Sequence, residues 1–137
     1  MTTDIDRPDN IGNPQLRWGS DAVAETIRSI GIDYIALVPG ASFRGFHDSI
    51  VNYLGNAEPQ MVVCLHEEHS VAIADGYAKV TDRPMAVALH SNVGLMHASM
   101  AIFNAWCERN PMLIFGATGP LDAHARRPWI EWIHTSS

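Results

Sequence analysis

The chain has 137 residues, of which 47% are hydrophobic, and a formal net charge of −6 at pH 7. This length predicts one compact domain with its own core, and the negative charge argues against nucleic acid or an anionic membrane as the main partner. No apolar run approaches the roughly 20 residues that span a bilayer, and residues 1–13 do not resemble a signal peptide. Because Cys64 and Cys107 form no CxxC pair, we expect buried, reduced thiols in a cytoplasmic protein rather than a disulfide.

The predicted elements alternate between helix and strand. Residues 1–16 are expected to form a flexible tail, after which a helix begins with Ser20 as its N-cap and ends before Gly31, with Val23, Ile27 and Ile30 at helical spacing. Four short apolar runs are typical of strands buried on both faces, and they cover residues 34–38, 61–65, 85–89 and 111–115. Further helices are predicted over about 43–54, 68–81 and 95–108.

Four alternations with short connections indicate stacked βαβ units. The predicted fold class is therefore α/β, a parallel sheet with helices on both faces in a flavodoxin-like or Rossmann-like three-layer arrangement, incomplete at its C-terminal end. We divide the chain into the tail, 1–16, and a single domain, 17–137. The last segment carries Trp129 and Trp132 but no further strand, so packing on the domain's own sheet edge and contact with another chain stay equally open.

Polar residues follow three of the predicted strands. Gly40-Ala41-Ser42 comes after the first strand, His66-Glu67 after the second and His90 after the third. Because the carboxyl ends of parallel strands lie on one rim of a sheet, these loops are expected to form one binding site. Loops at a rim are commonly polar, so the convergence supports the site only in part.

Glu67 is the main candidate for chemistry. A carboxylate partly removed from water gains affinity for a proton, which suits proton exchange with a bound base. A structural role in a salt bridge or at a helix start is the alternative, and the local pattern alone favours it. His90 ends a buried strand and could exchange protons near neutral pH. His66 and His69 do not have HExxH spacing and show no third ligand, so we predict no metal site.

Other patterns carry less information. Met96, Met100, Phe103 and Trp106 predict a helix face that enters a core or a subunit contact. His97 forms no pattern and is expected at the surface or in a satisfied polar role. The glycines form neither a GxGxxG fingerprint nor a Walker loop.

The residues around Glu67 resemble a known signature. His66-Glu67, followed by Ala74-Asp75-Gly76-Tyr77-Ala78, resembles the HE-x(6)-A-[DE]-G-Y-A pattern of the pyrimidine-binding N-terminal domain of thiamine diphosphate enzymes. Val38-Pro39-Gly40-Ala41-Ser42 resembles the loop after the first strand of that domain, and the segment from Leu89 to Ile114 resembles its following helix and strand. Among relatives, the chain looks most like the benzoylformate decarboxylase and acetolactate synthase branch.

The resemblance implies roles for the rim residues. Glu67 would bind the N1′ atom of the cofactor's aminopyrimidine, and proton sharing there would promote loss of the thiazolium C2 proton, so that the cofactor attacks a 2-keto acid and CO2 leaves. His90 matches an active-site histidine of the benzoylformate decarboxylase branch. Gly40, Ala41 and Ser42 would approach the substrate or the pyrimidine. The predicted catalytic residues are therefore Glu67 and His90, and the predicted cofactor-binding residues are Glu67, Gly40, Ala41 and Ser42.

The family holds the diphosphate and Mg²⁺ in a separate domain with a GDG motif, which this sequence lacks. A fragment of a longer enzyme, one subunit of a split enzyme and a silent product are all consistent with this, and the abrupt end favours the fragment. The expected partners are a 2-keto acid, a diphosphate-binding domain or subunit, and further chains in a homo- or hetero-oligomer. A catalytically silent α/β interaction or regulatory module, and a generic flavodoxin-like ligand binder, stay open as alternatives.

Overall fold

The computed structural model describes residues 7–8, 14–117 and 124. Its helices and strands are, in chain order, α1 (Gly19–Ser29), β1 (Tyr34–Leu37), α2 (Arg44–Asp48), β2 (Gln60–Val63), α3 (Glu67–Thr81), β3 (Met85–Leu89), α4 (Ser91–His97), α5 (Ser99–Glu108) and β4 (Met112–Gly116). A 3-10 turn, Ala41–Phe43, precedes α2, and a π-helical turn, Ser49–Tyr53, follows it. The predicted tail falls mostly outside the described residues, as do Trp129 and Trp132. Within the described part of the chain, no helix is both long enough and apolar enough to cross a bilayer.

The four strands form one parallel sheet in the order β2-β1-β3-β4. This arrangement confirms the predicted parallel α/β fold. β3 lies between β1 and β4, and all five of its residues are buried, as expected for a strand covered on both faces.

Helices cover both faces of the sheet because alternate strand residues point in opposite directions. Ile35 and Leu37 of β1 pack with Ile27 of α1 and with the residues of α2 and the turns beside it. Ala36 of the same strand packs in a second cluster with Val71 of α3 and with residues of α5. The sheet is thus the middle layer of three.

The start of α1 differs from the prediction. Its N-cap is Trp18 rather than Ser20. The Asp21 carboxylate accepts the backbone N–H groups of Arg17 and Trp18, both at 3.0 Å, so an aspartate inside the first turn reaches back to the N-cap, whereas a capping serine would accept N–H groups further into the helix.

Several residues predicted to be buried are exposed. Ile27 is buried, but Val23 and Ile30 are 41% and 59% exposed, so the buried stripe of α1 is narrower than predicted. β2 ends at Val63, and Leu65, predicted as its last residue, is 94% exposed. Neither cysteine forms a disulfide, as expected, although Cys107 is exposed rather than buried.

The segment after β3 is helical where a polar turn was predicted. α4 begins at Ser91, four residues before the predicted helix start at Leu95. Ser91 has a φ of 54°, a left-handed conformation that few non-glycine residues adopt, and the chain turns there directly from the strand into the helix. The Gly94 N–H donates to the His90 carbonyl at 2.7 Å, and Ala98 separates α4 from α5.

Candidate active site

The predicted site loops follow three adjacent strands of the sheet. From β1 the chain passes to β2 on one side, and it then returns past β1 to β3 on the other. The strand order therefore reverses between β1 and β3, and open α/β sheets bind ligands in the crevice at such a point. Gly40–Ser42 follows β1 and His90 follows β3, so these residues flank the crevice.

His90 and the loop after β1 are in direct contact. The Ser42 hydroxyl lies 2.8 Å from Nδ1 of His90. A Cβ at Gly40 would lie 2.1 Å from the same nitrogen, so only glycine permits this approach of loop and ring. Ala41 shares the loop and is exposed. The structure thus brings together three of the predicted residues, Gly40, Ser42 and His90.

Glu67 is the first residue of α3, one residue earlier than the predicted helix start. His66 is the N-cap, and its Nδ1 accepts the backbone N–H of Glu68 at 3.2 Å. The Glu67 side chain is only 14% exposed. A carboxylate at this position also interacts favourably with the helix dipole, so the structural role considered above remains compatible with the geometry.

The two oxygens of Glu67 face different residues of α4. A Cβ at Gly94 would lie 2.9 Å from Oε1, which means that this oxygen rests against a surface without a side chain. Oε2 lies 3.4 Å from Nδ1 of His97. Neither Gly94 nor His97 was predicted as a site residue. Their spacing of three residues places both on one face of a helix, but this signal requires that α4 begin at Ser91.

Among the described residues, His66, Glu67 and His97 each place one possible metal-ligand atom within 4.8 Å of the other two. The N-cap hydrogen bond opposes such a site. Because Nδ1 of His66 accepts the N–H of Glu68, the neutral ring carries its proton on Nε2, and neither nitrogen then offers a free lone pair. The absence of a metal site stays a prediction.

The later residues of the motif connect α3 to other elements. Asp75 accepts hydrogen bonds from Asn110 and from Lys79, both at 2.7 Å. The bond from Lys79, and to a smaller degree that from Asn110, holds the pKa of Asp75 below its usual value against the opposing effect of burial. Tyr77 donates to Asp33 at 2.9 Å, and burial, reinforced by this carboxylate, raises the pKa of Tyr77. These residues hold α3 against the segments that precede β4 and β1.

A family model described as "Thiamine pyrophosphate enzyme, N-terminal TPP binding domain" matches residues 17–135. The chain belongs to this family. Thiamine pyrophosphate is thiamine diphosphate, so the resemblance predicted from the His66–Ala78 motif is confirmed. The matched range contains all four described strands, so the sheet is part of an N-terminal thiamine pyrophosphate-binding domain.

Named relatives agree with this family. The chain is 32% identical to the acetolactate synthase large subunit of Lactococcus lactis over 104 residues, which are 75% of the chain and 18% of that protein. It is 38% identical to the benzoylformate decarboxylase of Pseudomonas aeruginosa over 53 residues, 39% of the chain and 10% of that protein. The chain spans less than a fifth of the length of these relatives.

A solved structure confirms the fold. The thiamine diphosphate-dependent 4-hydroxybenzoylformate decarboxylase of Rhodococcus jostii RHA1 superimposes with a TM-score of 0.66 at 24% identity. The superposition covers 74% of this chain and 18% of that one. The described sheet and helices therefore have the architecture of one part of a thiamine diphosphate enzyme.

Proposed function

We propose that this chain is the pyrimidine-binding half of a thiamine diphosphate-dependent 2-keto acid decarboxylase or acetolactate synthase-like carboligase. The position of Glu67 carries the proposal, because its carboxylate is 14% exposed at the sheet rim with Oε1 over Gly94. The residues fit the cofactor, since glycine at position 94 keeps one side of the carboxylate clear of side-chain atoms. Membership of the family supports the same ligand.

In this proposal Glu67 shares a proton between Oε1 and the N1′ atom of the aminopyrimidine ring. A carboxylate suits this position because it both holds and releases a proton. Gly94 and His97 pack against it and limit the access of bulk water, which would otherwise compete for the same hydrogen bonds. Thiamine diphosphate, when bound, supplies the carbon nucleophile and the electron sink for cleavage beside a 2-keto group.

His90 is the second proposed catalytic residue. The hydroxyl of Ser42 and the close approach of Gly40 hold its ring at the crevice between β1 and β3. His90 would exchange a proton with the substrate there, while the loop Gly40-Ala41-Ser42 would line the substrate side of the cofactor.

The proposal requires a second domain or subunit that holds the diphosphate and Mg²⁺, with the assembly acting as a dimer or hetero-oligomer in the cytoplasm. An exposed apolar face of α4 and α5 supports a contact with another chain or domain. Its residues and their exposed fractions are Met96 (64%), Met100 (62%), Phe103 (53%) and Trp106 (73%). Within the described residues this face does not enter the core, which leaves the subunit contact as the favoured one of its two predicted roles.

Replacing Glu67 with glutamine tests the function. Glu67→Gln keeps the size of the side chain but removes its capacity to hold and release a proton. We expect decarboxylation of a 2-keto acid, assayed with thiamine diphosphate, Mg²⁺ and the diphosphate-binding partner, to fall by about 100-fold or more. Glu68→Gln, one position further along the same helical turn, is the matched control and should retain turnover. Undiminished turnover of Glu67→Gln would contradict the assignment.

Calorimetry on the chain alone provides a second test. Because the diphosphate is proposed to bind elsewhere, titration with thiamine diphosphate and Mg²⁺ should show weak or no binding. Tight binding to this chain would show that its own residues hold the phosphates, and the proposed division of the site would then be wrong.

A further inference from the structure

His97 contacts the candidate catalytic carboxylate from the last position of α4. Its Nδ1 lies 3.4 Å from Oε2 of Glu67, at the outer range of a hydrogen bond, and catalytic hydrogen bonds are often this long before ligand binds. Gly94 lies one helical turn earlier, beside Oε1. One short helix therefore contacts both oxygens of the carboxylate, with an imidazole nitrogen at one and the side-chain-free surface of Gly94 at the other.

The ring of His97 is confined although 57% of its side chain is exposed. The ring of His66 packs against it, with centroids 4.2 Å apart and planes at 55°. His66 is itself held by its hydrogen bond from Glu68 and by the ring of His69, whose centroid is 5.0 Å away. An exposed imidazole without such neighbours would sample several rotamers. These contacts restrict His97 to the side of Glu67 that carries Oε2.

We infer that His97 is a positioning residue for Glu67, holding Oε2 so that Oε1 stays over Gly94 for the cofactor. The inference rests on the proposed function of Glu67. The terminal torsion angle of an unrestrained glutamate is broadly distributed, and rotation about it exchanges the positions of the two carboxylate oxygens. A donor on one oxygen restricts this rotation before the cofactor arrives, which is how neighbouring side chains preorganise a reactive group.

The contact defines which nitrogen of His97 carries its proton. A neutral imidazole has one N–H, and the hydrogen bonds of the ring decide which nitrogen holds it. Donation to Oε2 of Glu67 requires the proton on Nδ1. The tautomer of His97 is therefore a measurable signature of the contact, and it does not depend on bound cofactor or on turnover.

Nitrogen-15 NMR of the labelled chain at about pH 8.5, where ordinary imidazoles are neutral, reads this tautomer. We expect the wild-type His97 ring to carry its proton on Nδ1 and to lose this preference in Glu67→Leu. His47 is the matched control, because its Nδ1 also lies 3.4 Å from a carboxylate oxygen, but Asp48 is 60% exposed whereas Glu67 is 14% exposed, so water competes for the acceptor. Its spectrum should show mixed tautomers that Glu67→Leu does not change. A wild-type His97 with its proton on Nε2 would overturn the inference, whether or not the variant folds.

Turnover of paired variants separates positioning from packing. In the assay with the diphosphate-binding partner, His97→Leu should lower kcat about tenfold, and His97→Asn, which keeps an N–H donor, should recover most of that loss. His47→Leu should leave kcat unchanged. Equal losses in His97→Leu and His97→Asn would refute a positioning role. Failure of the proposed function would look different, since Glu67→Gln would then keep its turnover while the His97 tautomer remained as inferred.

Discussion

Replacing Gly94 with alanine should damage the site more than the fold. Gly94 is buried within α4, and its φ lies outside the left-handed region, so alanine fits the helical backbone. A Cβ there would lie 2.9 Å from Oε1 and 3.0 Å from Cγ of Glu67. For Oε1 to regain an ordinary contact of about 3.4 Å, the carboxylate must move by roughly 0.5 Å.

Two opposing effects determine the stability of Gly94→Ala. Alanine in a helix is favoured over glycine by about 1 kcal/mol, whereas an additional methyl group in a packed site costs about 1–3 kcal/mol. The net loss should therefore stay below about 2 kcal/mol. A misplacement of about 1 Å can cost about 100-fold in rate, so a movement of half that size should lower kcat by about tenfold.

Urea denaturation and steady-state decarboxylation, measured on the same preparations, test both magnitudes. Gly76→Ala is the matched control, because Gly76 lies within α3 and a Cβ there would meet no atom within 4 Å. It should raise the free energy of unfolding by up to about 1 kcal/mol and leave turnover unchanged. If Gly94→Ala behaved like Gly76→Ala in both assays, Glu67 would not occupy the space beside Gly94, and the proposed geometry of the site would fail.

Two further predictions concern the motif and the exposed face. The pKa of Asp75 is lowered in the fold, chiefly by Lys79, so the ionised carboxylate stabilises the protein above its unfolded pKa and loses that contribution as the pH falls. Asp75→Asn should therefore lower the Tm at pH 7. The difference in Tm between wild type and variant should shrink below about pH 4. Calorimetric melting at both pH values checks this, and a difference independent of pH would exclude the ionic cause. Replacing the 73% exposed Trp106 with glutamate should weaken association in analytical ultracentrifugation while the far-UV circular dichroism spectrum stays native. Ile30→Glu, at the 59% exposed C-cap of α1 on the other face of the sheet, should leave association unchanged. Association at the wild-type level in Trp106→Glu would remove this face as the contact.

The sheet and its rim were predictable because strong local patterns coincide with the topology. The run Met85–Leu89 is flanked by Pro84 and His90, and β3 has the predicted bounds. Parallel strands present their carboxyl ends on one rim of the sheet, and this alone predicts that His90 and Ser42 lie near each other. Glu67 required more than the local pattern, because only its spacing from the A-D-G-Y-A segment distinguished it from a helix-start carboxylate.

Gly94 and His97 could not be predicted as site residues. Both lie on α4, which begins at a residue with an uncommon backbone conformation, Ser91. Ser91-Asn92-Val93-Gly94 has the composition of a turn, and Ser91 adopts a left-handed φ that local propensity does not predict for serine. A helix that begins at Leu95, as predicted, leaves Gly94 in a turn, where its three-residue spacing from His97 carries no structural information. The prediction that Leu65 ends a buried strand is also wrong, because apolar composition does not show where β2 ends.

The hydrogen bond from Asn110 to Asp75 affects how the signature should be used in surveys of homologous chains. Asp75 and Tyr77 serve the architecture, because each ties α3 to a neighbouring segment at a distance from the carboxylate of Glu67 along the helix. A chain can therefore keep A-D-G-Y-A after its chemistry has been lost. Glu67, Gly94 and His97, scored together, should discriminate active from inactive members better than the signature itself, whose second half reports on the fold.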